Sequence, residues 1–118
     1  MLGKTTITPI VRISRGRFSQ ERHDEVKELI CKSEAVLAPA LKELSGLLYY
    51  HAAVDRATDT VVNVSVWVSI EAAKQMDSMQ AMLAQRPILE AAGVQFDPIA
   101  NYEPLWNIQG DQVFIHGE

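Results

Sequence analysis

One α+β domain of β-α-β-β-α-β order, built on a four-stranded antiparallel sheet, is predicted by three observations. Residues 5–14, 47–54 and 60–69 are rich in β-branched and aromatic residues, as strands are. Between the first two runs, Val26, Leu29, Ile30, Leu37, Ala40, Leu41 and Leu44 recur at helical spacing. The polar stretch from Asp55 to Asp59 then joins the second and third runs as a hairpin turn.

The first strand, residues 5–14, contains Pro9, whose missing N–H predicts an edge position or a bulge. Ser19 is the expected N-cap of the first helix, and Gly46 its C-terminal stop. Pro39 inside that helix predicts a kink or break over 36–40. Ser69 followed by Glu71 opens a second helix over 70–85, with Ala72, Met76, Met79 and Leu83 as its inner stripe. Pro87 is expected to start a further short helical turn that Gly93 closes in the left-handed conformation. Residues 94–106 return as an edge strand bounded or interrupted by Pro98 and Pro104. The tail, 107–118, is expected to add a short strand against a partner chain.

This order is the split βαβ, or ferredoxin-like, motif. Its helices cover one sheet face and leave the other in need of cover, which predicts a homodimer with facing sheets. At 118 residues the chain suits one core, and without an internal repeat or linker 1–118 is one domain.

Composition excludes several classes. A net charge of −4 and the absence of a basic stripe argue against nucleic acid. No run approaches the roughly 20 apolar residues of a membrane helix, so no membrane partner is expected. A lone Cys31 has no intrachain partner, which fits a reducing, cytoplasmic location. The three histidines, His23, His51 and His116, show no ligand spacing, so no metal and no cofactor are expected.

If Asp55 faces Asp59 across the turn, the hairpin pairs His51 with Asn63, Tyr49 with Ser65 and Leu47 with Trp67 on one face. A polar cluster then lies beside a large aromatic. Asn63 is the most informative of these residues, because Asn is disfavoured inside strands and needs a partner when buried.

The sequence also resembles the dimeric α+β barrel superfamily, within it the small antibiotic-biosynthesis-monooxygenase-like domains. The resemblance spans residues 6–106 and rests on element order, on GLLYY entering strand two, and on VSVWVSIEAAKQM closing strand three. Some members are cofactor-free oxygenases of polycyclic phenols and anthrones, with an Asn and a Trp four residues apart on strand three, a spacing that Asn63 and Trp67 match. The haem-degrading branch uses an Asn on strand one and a His on helix two, and this sequence has neither.

The resemblance implies a cofactor-independent monooxygenase, or a related enzyme, acting on a small phenolic or enolisable apolar substrate. Asn63 would hydrogen-bond the substrate oxygen, Trp67 would stack on the rings, and His51 would take the proton. Tyr49, Ser65, Met76 and Met79 would line the pocket. The alternative is a non-catalytic ligand-binding or assembly module of the same fold, with His51 and Trp67 in structural roles.

Overall fold

Strand β1 (Ile10–Arg17) occupies the middle of the sheet in the computed structural model, which describes residues 8–116. It pairs antiparallel with β3 (Thr60–Trp67) on one side and with β4 (Gln95–Phe96) and β5 (Ala100–Tyr102) on the other. Strand β2 (Leu47–Asp55) lies outside β3, giving the order β2-β3-β1-β4, with β5 also on β1. This is the ferredoxin-like α+β architecture that the element order predicted.

Pro9 lies immediately before β1 and therefore removes no ladder bond, so the expected edge position is corrected to a central one. The strand starts and ends later than expected, and residues 5–7 lie outside the described residues. The predicted strand over 94–106 is an edge element in two pieces, β4 and β5, parted around Pro98.

A 3-10 turn (Gln20–Arg22) leads into α1 (His23–Lys42), which runs through Pro39 instead of breaking there. The buried stripe Val26, Ser33, Leu37 and Leu41 ties the helix to the sheet on both sides of the proline, and this packing overrides the lost backbone bond. Gly46, at φ +80°, turns the chain into β2, where an added Cβ would lie 2.6 Å from Val68 Cγ2.

The second helical region is more broken than predicted. Ser69 caps α2 (Ile70–Ala73) by accepting from the Ala72 N–H, a 3-10 turn (Lys74–Asp77) follows, and α3 (Gln80–Ala91) carries Pro87 in its interior rather than at a start. Gly93, at φ +93°, closes α3, with its N–H bonded to the Glu90 carbonyl. The tail forms a hairpin on itself, β6 (Trp106–Gln109) with β7 (Gln112–Ile115), where a single strand was expected.

Helices cover the face made by Ile10, Arg12, Ser14 and Gly16 of β1 and their partners Trp67, Ser65, Asn63 and Val61 of β3. Two apolar clusters hold this layer together. Phe18, Val26, Val61, Leu89, Ala92 and Val94 form one, and Leu37, Leu41, Trp67, Ala73, Met76 and Met79 form the other. A cavity lies between them.

Candidate functional site

The site begins with a one-residue difference in the hairpin. Asp55 joins the ladder opposite Thr60, its carboxylate accepts from the Ala57 N–H and the Thr58 hydroxyl, and Asp59 takes a left-handed φ of +51°. The loop between the paired residues is thereby one residue longer than the expected Asp55–Asp59 pairing would leave. The partners become Tyr50 with Ser65, Ala52 with Asn63 and His51 with Val64. A break in register between Leu47 and Tyr49 then restores the expected pairing of Leu47 with Trp67.

A one-residue shift moves side chains to the opposite face. His51 and Tyr49 therefore leave the expected cluster and meet each other on the outer face. There the imidazole Nε2 lies 2.8 Å from the Tyr49 hydroxyl, with the rings edge to face. The expected contacts of His51 with Asn63 and of Tyr49 with Ser65 are corrected accordingly. Tyr50 takes the inward place.

On the helix side, a cavity of about 180 Å³ opens between the sheet and α1 and α3. Its floor is polar and comes from three strands: Arg12 and Ser14 of β1, Tyr50 of β2, and Asn63 and Ser65 of β3. Its walls are mostly apolar, with Ile30 and Leu37 from α1, Met76 from the 3-10 turn, and Met82, Leu83 and Leu89 from α3, beside the polar Ser33, Gln85 and Arg86. Asp77, Leu83 and Ile99 are exposed lining residues and mark the mouth. Such a chamber with few convergent polar groups is the usual form of a small-molecule site.

Trp67 is fully buried in the second apolar cluster, behind the cavity rather than on its lining. Its indole N–H donates to Ser65 Oγ at 2.8 Å, which fixes the Ser65 oxygen and leaves the hydroxyl proton free to point elsewhere. Met76 lines the cavity, whereas Met79 packs with Trp67 in the cluster. The structure thus brings Asn63, Ser65 and Met76 to the cavity, puts Trp67 and Met79 behind it, and places His51 and Tyr49 outside it.

Three floor residues, Arg12, Ser14 and Tyr50, were missed. Arg12 is only 6% exposed and forms an ion pair with Asp77 at 2.8 Å. Tyr50 Oη is the one buried side-chain polar atom without a hydrogen-bond partner among the described residues, and burial pushes its pKa up to about 12. The phenol is therefore a neutral donor at ordinary pH. Arg12 had a sequence signal in the alternation of Arg12 and Ser14 with Val11 and Ile13. Only the pairing with Asn63 and Ser65 shows that its face is the covered one.

A second recess of about 440 Å³ lies between α1 and β2, lined by residues such as Ile30, Leu41, Leu47 and Ala52, and Tyr50 borders both spaces. It is larger, but it lacks the polar floor of the first. Among the described residues no group of three His, Cys, Asp or Glu side chains is arranged to hold a metal, and no helix is long and apolar enough to cross a membrane.

Neither a family model nor a curated protein matches this sequence. Solved structures do. A proposed antibiotic-biosynthesis monooxygenase from Deinococcus radiodurans is 17% identical, covers 92% of this chain and 99% of its own, and superposes with a TM-score of 0.64. Another so described, from Chloroflexus aurantiacus, is 18% identical, covers 86% and 98%, and has a TM-score of 0.58. SnoaB, a cofactor-independent oxygenase from Streptomyces nogalater solved as an asparagine-to-alanine mutant, is 13% identical, covers 82% and 93%, and has a TM-score of 0.61. The chain has the ferredoxin-like fold of the antibiotic-biosynthesis-monooxygenase-like structures, as the resemblance implied.

Proposed function

We propose that this protein is an oxygenase that needs no resident cofactor and acts on a small phenolic or enolisable aromatic substrate held between the sheet and the helices. The observation that carries the reading is the convergence of Asn63 and Ser65 on the polar floor of a cavity whose helix side is mostly apolar. Its volume compares with the ~150 Å³ that admits benzene, and its half-open mouth leaves room for a larger ring system.

The Asn63 amide and the Ser65 hydroxyl stabilise negative charge on the substrate oxygen as the phenol or enol ionises. With His51 outside the cavity, the proton leaves to water at the mouth. The anion gives one electron to dioxygen, and the resulting pair combines into a carbon–peroxide bond. A substrate methylene then becomes a carbonyl when the peroxide loses water. One oxygen atom enters the product, the other leaves as water, and the substrate supplies the electrons. Trp67 serves by holding Ser65 and closing the chamber from behind.

The test is oxygen uptake with an anthrone in the presence of a metal chelator. Asn63→Ala should lower the rate by about 10²-fold, the usual effect of removing one oxyanion donor. Trp67→Phe should lower it less, and both variants should stay folded. Equal rates in wild type and Asn63→Ala contradict the assignment.

The displacement of His51 favours a second reading, a non-catalytic binding module that uses the same cavity without a base. Ligand binding without oxygen uptake is its signature.

A second copy is the partner best matched to the rest of the surface. The uncovered sheet face carries Val11, Ile13, Val62, Val64 and Val66, with exposed Tyr49 and Tyr102 at its margins. The β6–β7 hairpin exposes Leu105, Trp106, Ile108, Val113 and Ile115. Apolar surface on this scale supports pairing of two chains through the sheet face and the hairpin.

A further inference from the structure

Oxygenation of a phenol uses the amide and hydroxyl donors of the floor but does not require a buried guanidinium. Arg12 projects from the central strand into the cavity, its side chain 7% exposed, and one of its five N–H groups is bonded to Asp77 Oδ1. The Asp77 side chain is 62% exposed, on the 3-10 turn at the mouth. A charge taken out of water needs close and complete pairing. Here the partner stays mostly in solvent and occupies one side of the fork. Arg86, the other lining arginine, is already engaged by Glu90 and lies over the Phe96 ring.

We infer that Arg12 anchors an ionised carboxylate of the ligand, so that the cavity selects aromatic hydroxy-acids, and that Asp77 holds the guanidinium until the ligand displaces it. This rests on the cavity being the ligand site. The planar fork matches a carboxylate with two parallel hydrogen bonds, which one monodentate contact to Asp77 does not use. The register sets the spacing. Arg12 shares a rung with Ser65, and Ser14 shares the next same-face rung with Asn63. Two residues of strand separate these rungs by about 7 Å, which fits a ring bearing its acid at one end and its hydroxyl at the other. Asp77 sits on a short exposed turn and swings into water at small cost once an anion takes its place. The ligand's own carboxylate is the better partner because the cavity walls shield it.

The experiment compares calorimetric affinities of 6-hydroxy-2-naphthoate and 2-naphthol for wild type, Arg12→Gln and Asp77→Asn. Wild type should bind the acid about tenfold or more tightly than the naphthol, the usual margin of a hydrogen-bonded charge. Arg12→Gln should erase that preference by lowering the affinity for the acid far more than the affinity for naphthol. Asp77→Asn should tighten acid binding several-fold by releasing the guanidinium, whereas a merely structural ion pair predicts no gain. If Arg12→Gln does not fold, Asp77→Asn decides the matter. Naphthol binding with no preference for the acid in wild type overturns this inference and leaves the cavity reading standing, as does an unchanged preference in both variants. Failure of wild type to bind either compound overturns both.

Discussion

Tyr50 carries a phenol oxygen that is sealed from water and bonded to nothing among the described residues. Such a group costs stability. Tyr50→Phe should therefore raise stability by about 1 kcal/mol, read as a rise in the urea midpoint. Burial raises the phenol's pKa to about 12 in the folded state, above the model value of 10.0. Between those values the unfolded chain has lost this proton and the folded one retains it, so stability falls as pH rises from 10 to 12. Urea midpoints at pH 9 and pH 11.5 should show that fall in wild type and a smaller one in Tyr50→Phe. Gly46→Ala tests a backbone requirement instead. The left-handed φ and the approach to Val68 should make it destabilising by more than about 1 kcal/mol. Gly93 was legible as a stop because glycine accepts the left-handed region that helix ends use, whereas α1 ends four residues before Gly46, at Lys42, and Gly46 instead makes the turn into β2. Tyr50 was not legible, since nothing in YYH says which tyrosine turns inward.

At the scale of elements, the β-branched and aromatic runs 47–54 and 60–69 made β2 and β3 legible, but their faces were not. Asp55 bonds back to Ala57 and Thr58 and enters the ladder itself, and that one position sends His51 outward while Asn63 stays inward. Turn chemistry worth one or two hydrogen bonds thus decided which residues share the cavity. The prolines failed as breakers for a different reason. Pro39 and Pro87 lie at exposed positions of helices whose opposite faces are anchored by Leu37 and Leu41 and by Leu89, so tertiary packing outweighs the local cost. Pro39→Ala should consequently stabilise the protein by about 1–3 kcal/mol, read as a rise in the urea midpoint. A stability loss would mean that the proline shapes α1 in a way the core requires.

Across the whole molecule, the order of elements follows from hydrophobic patterning, and this part of the fold was open to sequence reasoning. The tail was only half legible: VFI marked a strand, but Gly110, at φ +62°, folds it back on β6. The resulting hairpin exposes Trp106 at 63% and belongs to a molecule extending 55 × 30 × 23 Å. If the hairpin and outer sheet face join two chains, Ile108→Glu with Val64→Glu should convert the dimer to monomer in analytical ultracentrifugation. Sedimentation unchanged from wild type would remove these surfaces from the interface.

The most direct test of where this protein binds its ligand is a methyl-NMR titration with 2-naphthol, using methionine methyl groups as reporters. Met76 and Met82 line the cavity, whereas Met79 lies in the cluster behind it. Large shifts at Met76 and Met82, with a smaller one at Met79 and loss of the effect in Asn63→Ala, are the predicted result. Binding that leaves Met76 and Met82 unmoved while shifting the Tyr49 and His51 ring signals would contradict it and put the site on the outer face of the sheet.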